Sequence, residues 1–412
     1  MKERNITVGL DIGTTKVCTI VGIENPGSEF EIVGIGTNPS QGLKKGSVVN
    51  IDKTVSSISA SLEEAKLMSG VKISSATIGI AGSHIYSFNS SGVVAVKGSE
   101  ITEEDVNRVM EAAKAVIIPS DREVLHVLPQ EFRVDNTSGI KNPVGMCGVR
   151  LEAHVHIVTG SISLIQNLIK CAELAGVKVN NVILQPIASS GSVLSLEEKE
   201  LGVVLVDVGG GTTDIAIWKD GSLIHSQIIP VGGNHFTNDL AVALKIPYME
   251  AERVKIYHGS VLAETLDQSA NITVQGLHGT RPRDVQLSQV AAVLGARADE
   301  LFGLIKNIID ERGLENDITG GCILTGGGAL IKGIAELGEY ILERPVKIGY
   351  PSPFGGMTNI MQNPKYSTVL GLLLEAQKEN TIHGKYKDSE THHADLVVRL
   401  SESLKSVFKE IF

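Results

Sequence analysis

Residues 203–233 read VVLVDVGGGTTDIAIWKDGSLIHSQIIPVGG, and residues 6–36 read ITVGLDIGTTKVCTIVGIENPGSEFEIVGIG. Both follow one plan: an apolar strand, an Asp-x-Gly turn with threonines, a second strand, a glycine-containing turn, and a third strand ending in glycine. Continuous or alternating Val, Ile and Leu mark buried strands, and the Asn-Pro-Gly and Asp-Gly breaks mark hairpin turns. Helical periodicity follows each copy, over residues 54–68 and 238–244. The pattern predicts an α/β chain of two related halves facing one another across a cleft.

The turns carry the chemistry. An Asp followed by glycine and small hydroxyl residues presents backbone N–H groups to phosphate oxygens, and the carboxylate can orient the water shell of a magnesium ion. Asp11, Gly13, Thr14, Thr15 and Lys16 form the first such loop. Asp207, Gly209, Gly210, Gly211, Thr212, Thr213 and Asp214 form the second, with Gly233 closing the copy. A polyphosphate would be gripped from both sides, with Lys16 as a point charge. A third segment, LTGGGALIKG at 324–333, ends a strand with Gly326, Gly327 and Gly328, where a flat base can lie on bare backbone. GxxxxGK[ST] is absent and no GxGxxG follows a strand, so P-loop and Rossmann readings fail.

Outward from the repeat, residues 84–159 differ in character and read as a small α+β insert. SFNSSGVVAV (87–96) reads as a hairpin, Thr102 and Asp105 as a capping box opening a helix, and VLHVLPQEFRVD and VRLEAHVHIV as further strands. Helical signals resume over 161–174, NNVILQP gives a strand, and IASSGSVLSLEE (187–198) reads as one helix. A second insert-like region, 246–314, contains the long helical stretch LSQVAAVLGARADELFGLIKNIIDE; a helix over 329–342 follows the third glycine motif.

Composition excludes several classes. At 412 residues, with 42% hydrophobic and 20% charged, the chain is too long for one ordinary domain and too mixed to be disordered. A net charge of −10 leaves no basic surplus for bulk nucleic-acid binding. Forty-four glycines against eight Phe, seven Tyr and one Trp favour backbone-lined ligand sites over an aromatic recognition surface. The opening MKERNITVGLDIG has no signal-peptide core and no apolar run reaches spanning length, which predicts a cytoplasmic chain with no transmembrane segment. Cys18, Cys147, Cys171 and Cys322 are scattered without metal-site spacing, so structural thiols are expected.

Residues 377–394, QKENTIHGKYKDSETHHA, are polar and read as a flexible linker. Beyond it, Leu396, Leu400, Leu404, Val407, Phe408, Ile411 and Phe412 fall on one arc of about 160° at helical spacing, an amphipathic helix. Three readings compete: an in-plane membrane anchor, a helix docking in a partner groove, and a helix packed on the body. The linker opposes the last. Arg399, Lys405 and Lys409 are balanced by Asp395, Glu402 and Glu410, so lipid binding through this helix would depend little on salt.

GLDIGTTKV, VDVGGGTTD and LTGGGALIKG resemble the two phosphate motifs and the adenosine motif of the actin, sugar-kinase and heat-shock ATPase superfamily, over residues 5–374. The early insert, ELGVVLVDVGGGTTDIA, AERVKIYHG and the tethered terminal helix, in that order, resemble the FtsA family of bacterial cell-division proteins. The resemblance implies a duplicated actin-like fold: subdomain 1A over 1–83, 161–200 and a closing helix at 366–376; an inserted subdomain 1C over 84–160; 2A over 201–245 and 315–365; 2B over 246–314; and a targeting helix at 395–412. It implies ATP and Mg2+ as ligands, the metal held through water by Asp11 and Asp207, with Glu252 and Lys255 on ribose and adenine. Gln185 falls where relatives position the attacking water; a neutral amide is a poor base, so any hydrolysis would be slow.

The same resemblance implies a peripheral protein at the cytoplasmic face of the membrane at the division site. It would tether filaments of FtsZ through that protein's C-terminal tail on 2B, with Arg297 as a contact, polymerise with itself, and recruit later division proteins through 1C. A PilM-like pilus platform shares the core but is not expected to carry the terminal helix. A small-molecule kinase needs a catalytic Asp facing an acceptor hydroxyl, which no motif assigns.

Overall fold

The computed structural model describes residues 5–24, 31–265, 267, 269–277, 281–351, 355–356 and 362–386. Strands β1 (Asn5–Ile12), β2 (Lys16–Glu24) and β3 (Glu31–Pro39) form an antiparallel meander. A two-residue ribbon, β4 (Leu43–Lys44) with β5 (Ser47–Val48), leads into helix α1 (Ile51–Ser69). The Asn50 side chain caps α1 by accepting from the Lys53 N–H, and Gly70 ends it in the left-handed region. Strand β6 (Ser75–Ile80) then pairs parallel to β1.

Next come β7 (Tyr86–Ala95), α2 (Glu103–Lys114), β8 (Arg122–Val134), β9 (Thr137–Ile140) and β10 (Arg150–Ser161), a four-stranded antiparallel sheet in the order β7-β10-β8-β9 under one helix. Val106, Val109 and Met110 of α2 share its own core with Leu151, Val155 and Phe132. The capping box expected at Thr102 and Asp105 is formed. The hairpin expected over 87–96 is not: β7 is one strand of ten residues paired continuously with β10. Gly92 serves a close approach, not a turn, since a Cβ there would lie 2.3 Å from the Ala113 nitrogen of α2.

The chain continues through α3 (Ile162–Leu174), β11 (Lys178–Leu184), α4 (Gln185–Val193) and α5 (Leu196–Leu201). One helix was expected where α4 and α5 stand; Leu194 is extended, and Ser195 opens a new helix by a capping box with Glu198. The second half repeats the first: β12 (Val203–Val208), β13 (Thr213–Lys219), β14 (Ser222–Ile229), then α6 (Gly233–Leu244). Helix α7 (Tyr248–His258), ribbon β15 (Asn271–Val274) with β16 (Arg283–Gln286), and α8 (Leu287–Glu311) follow. Then β17 (Cys322–Thr325), α9 (Ile334–Leu342), β18 (Val346–Ile348) and β19 (Gly355–Gly356) precede α10 (Ser367–Tyr386).

The sheets run β11-β6-β1-β2-β3-β19 and β14-β13-β12-β17-β18, so the same five-strand order, antiparallel meander on one side and parallel strands on the other, occurs twice. This is the duplication seen in the sequence. The central strands β1 and β12 are buried almost throughout, as their continuous apolar runs require. After the second half, β19 adds to the first half's sheet beside β3, and α10 packs on β1 and α4, so the last described segment returns to where the chain began.

Two further expectations are corrected. The helix expected over 329–342 begins only at Ile334, because residues 327–330 make a 3-10 turn and Gly333 is left-handed at φ 78°. The linker expected from residue 377 begins as helix, since α10 runs to Tyr386; its polar residues include Gln, Lys and Glu, good helix formers without proline. The amphipathic segment 395–412 lies outside the described residues.

The insert is fastened to the other half. Strand β14 is the edge of the second sheet, and side chains of the insert satisfy its carbonyls: Asn89 Nδ2 donates to Ile224 O (3.2 Å), Gln130 Nε2 to Leu223 O (3.1 Å) and Ser87 Oγ to Ser226 O (2.6 Å). His156 bridges the joint, Nδ1 to Asn89 Oδ1 (2.7 Å) and Nε2 to Ser226 Oγ (2.9 Å). Because the Asn89 oxygen can only accept, Nδ1 carries the proton and Nε2 accepts from the serine. Burial pushes this imidazole down to about 3, with His225 adding to the effect, so it is neutral at pH 7.

Candidate functional site

A cleft of about 540 Å3 lies between the two sheets, lined by Asp11 to Lys16, Gln185, Asp207, Gly209 to Thr212, Asp214, Gly233, Glu252, Lys255 and Gly326 to Gly328. All three glycine motifs, which are far apart in sequence, therefore meet in one place. The two Asp-x-Gly turns have the same internal bond: the Gly13 N–H donates to Lys16 O at 3.0 Å, and the Gly209 N–H to Thr212 O at 3.0 Å. They face each other closely enough that a Cβ on Gly210 would lie 2.2 Å from Thr15, and one on Gly211 2.7 Å from the Thr14 hydroxyl. Helix α6 starts against the second turn, its Gly233 and Asn234 N–H groups donating to Gly209 O and Gly210 O, both at 2.8 Å.

The electrostatics are unusual for a buried place. Asp11, Asp207 and Asp214 are 7%, 6% and 4% exposed, so three carboxylates sit together out of water. Burial raises the Asp207 carboxyl to about 6, with neighbouring Asp11 adding to the rise and Thr368 opposing it. Asp214 is held well above the usual carboxylate range by burial and then by Asp207. Asp11 is raised by burial and partly relieved by Lys16. Oδ1 of Asp214 has no hydrogen-bond partner among the described residues. Lys16 donates to Lys365 O and lies 4.7 Å from the centre of the Tyr366 ring. Three buried acids gathered in one place, with Lys16 the ammonium that acts on Asp11 and Asp207, form a site that suits a further cation.

At the other end, Gly326 follows β17 at φ 81°, and a Cβ added to Gly327 would meet nothing within 4 Å, so bare backbone faces the cleft there. Ile256, Leu330 and Ile331 supply apolar wall. Lys255 Nζ donates to Thr237 Oγ1 (2.8 Å), Gly233 O (3.1 Å) and Glu252 Oε2 (2.8 Å), and Glu252 also accepts from Thr237, which ties α7 to the start of α6. Gln185, the first residue of α4, donates from Nε2 to Asp11 Oδ1 at 3.0 Å.

Arg297 stands outside this cleft. Its guanidinium makes a two-pronged pair with Asp239 of α6, at 2.6 and 3.1 Å, and also pairs with Glu300, one turn along α8. It is already engaged, and an incoming peptide carboxylate would have to exchange with one of these partners. Sequence reading missed Asn363, Lys365 and Thr368, which line the cleft from the segment leading into α10. The signal there is only an Asn-Pro turn, the Asn363 side chain accepting from the Lys365 N–H at 3.1 Å.

Paired sheets of one topology, a cleft walled by a glycine turn from each, and an inserted α+β unit define a protein of the actin-like class. In fold the chain is similar to a PilM–PilN type IV pilus biogenesis complex structure (TM-score 0.67, 15% identity, covering 90% of this chain and 98% of that one). It is also similar to MreB5 of Spiroplasma citri solved bound to ADP (TM-score 0.58, 17% identity, covering 93% and 99%). A family model described as "Cell division protein FtsA" matches residues 204–371, and one described as "SHS2 domain inserted in FTSA" matches 82–159.

Curated proteins named "Cell division protein FtsA" match nearly end to end: that of Pseudomonas aeruginosa is 44% identical over 99% of both chains. That of Borreliella burgdorferi is 46% identical over 92% of this chain and 94% of its own, and that of Escherichia coli K12 is 37% identical over 99% and 97%. The chain belongs to the FtsA family of cell division proteins.

Proposed function

We propose that this protein binds ATP with Mg2+ between its two halves and, in that form, tethers FtsZ filaments to the cytoplasmic membrane at the division site. The observation that carries the nucleotide reading is the meeting of Asp11 and Asp207, on equivalent turns of the two sheets, with a third buried acid, Asp214, beside them. The residues fit the ligand. N–H groups of the two glycine turns and Lys16 would bind phosphate oxygens, and Asp11 and Asp207 would hold the metal through water. Glu252 and Lys255 would take the ribose and adenine edge, with the base on the backbone of Gly326, Gly327 and Gly328. When bound, Mg2+ supplies positive charge that the carboxylates and the phosphates share.

Gln185 already donates to Asp11, so its amide oxygen is left to orient a water. It has no basic atom to take a proton, which makes hydrolysis slow at most and the nucleotide a conformational ligand. Such a role suits a scaffold: the insert is fastened across to β14, so a change in the cleft is felt at the 1C surface that would meet later division proteins.

No helix among the described residues is long and apolar enough to cross a membrane. Attachment is assigned to the apolar arc of residues 395–412, lying in the plane of the bilayer surface. The acidic FtsZ tail is placed on residues 246–314. There Arg297 would give up its more exposed partner, Glu300, for a tail carboxylate while keeping Asp239. Self-polymerisation, supported by family and fold, would present many such anchors at once, so that weak single helices bind firmly together.

The test is co-sedimentation with liposomes in ATP and Mg2+, with and without purified FtsZ. The full chain should pellet and carry FtsZ, and pelleting should change little between low and moderate salt. A chain ending at Ala394 should stay in solution, and Arg297→Glu should pellet without FtsZ. If the truncated chain sediments as well as the full one, the anchor reading falls; if Arg297→Glu still carries FtsZ, the peptide contact lies elsewhere.

A further inference from the structure

Asp11 and Asp207 are both held from outside their own turns: Gln185 at the start of α4 serves Asp11, while Asp207 takes Thr368 of α10 as its stronger side-chain donor and Ser189 of α4 as a weaker one. Gln185 Nε2 reaches Asp11 Oδ1 at 3.0 Å from the start of α4, and Thr368 Oγ1 reaches Asp207 Oδ2 at 2.9 Å from the start of α10. The two helices lie side by side, so near that a Cβ on Gly371 would sit 1.7 Å from Ala188 O. The residue before Thr368 is pinned on two sides: Ser192 Oγ donates to Ser367 O at 2.7 Å, and the Ser367 and Thr325 hydroxyls meet at 2.6 Å. Thr368 therefore has little freedom, and its hydroxyl arrives at Asp207 in one place.

We propose that Thr368 is a positioning residue for the metal–nucleotide site, fixing the Asp207 carboxylate as Gln185 fixes that of Asp11. An aspartate's last torsion is broad and roughly two-fold, so a carboxylate with no fixed partner turns freely between orientations. With Oδ2 committed to Thr368, the plane of the group is set, and Oδ1 is left beside Gly326 at the cleft wall. The turn of Asp207 supplies no side chain to do this, whereas α10, which packs on β1 and α4 of the first half, supplies it. The site is thus incomplete without the returning helix, and α10 continues from Thr368 toward the residues that precede the amphipathic tail. The inference rests on the nucleotide reading given above.

The test uses the full chain and a fluorescent ATP analogue, titrated in Mg2+ and again in EDTA. Thr368→Ser keeps the donor and should bind within about threefold of wild type; Thr368→Val, of the same shape without the donor, should bind about tenfold more weakly in Mg2+ and nearly unchanged in EDTA. The Mg2+ concentration for half-maximal binding should rise in the valine variant alone. Combined with Asp207→Asn, Thr368→Val should add almost nothing, because both act on the same group. Equal affinity of Thr368→Val and wild type in Mg2+, an equal loss with and without metal, or additivity with Asp207→Asn would each overturn the proposal. Failure of the wild-type chain to bind the analogue at all would instead remove the nucleotide reading on which it stands.

Discussion

Gly326→Ala should destabilise the chain by about 3–5 kcal/mol and abolish nucleotide binding, while Gly327→Ala, one residue along, should leave stability within about 0.5 kcal/mol. The contrast follows from two backbones of opposite demand. Gly326 sits at φ 81°, where an alanine is strained, and its added Cβ would lie 2.3 Å from Asp207 Oδ1 and 2.7 Å from Val208 O. Neither neighbour can yield cheaply, because Asp207 is held by Thr368 and Val208 is the last residue of β12. At Gly327 the added methyl meets nothing within 4 Å. It enters the cleft where the base is placed, so Gly327→Ala should weaken nucleotide binding with an unchanged unfolding curve. Urea unfolding with a nucleotide-binding assay on both variants decides the matter. Two equally stable variants would mean that the third glycine motif bends in a way its backbone does not indicate.

The two phosphate-type turns were legible because their information is local: Asp11 to Lys16 and Asp207 to Asp214 each lie within eight residues and recur in a repeat, so each copy identified the other. That they converge followed from the repeat as well, since two like sheets must pack their equivalent turns in equivalent places. Thr368 was not legible, because its role is created by the chain's return to the first half, and NPKYST contains no sign of what it will touch. Arg297 illustrates the same limit. Its partner Asp239 lies 58 positions away on α6, and nothing at spacing of one helical turn reveals it. Gly92 was misread for a different reason. Glycine marks both turns and close packing, and only the helix lying over β7 distinguishes the two uses.

The charge in the cleft yields a prediction whose two halves have opposite signs. Asp207→Asn should make the nucleotide-free protein more stable at pH 7.5, by about 3 kcal/mol, while weakening Mg2+-dependent nucleotide binding by about 10- to 100-fold. The buried carboxyl is raised from 3.8 to about 6. A group raised on folding contributes its stability below the unfolded value, and that contribution is lost as pH rises through the folded value. At pH 7.5 the wild-type chain therefore bears the full penalty of a buried anion, and asparagine removes the anion while still accepting from Thr368. The advantage of the variant should shrink as pH falls through 6 and vanish below 3.8, where both side chains are neutral. The comparison must be made as a difference between the two proteins. Buried His156 and His126, pushed down to about 3 and about 4, contribute stability above 6.5 that fades as pH falls, and so tilt both curves the other way. A destabilised Asp207→Asn at pH 7.5 would mean that the fold itself relies on the anion. A stabilised variant that has lost its metal-dependent affinity would show why the anion is kept: its cost to the empty protein is recovered only when a cation and a polyphosphate fill the cleft.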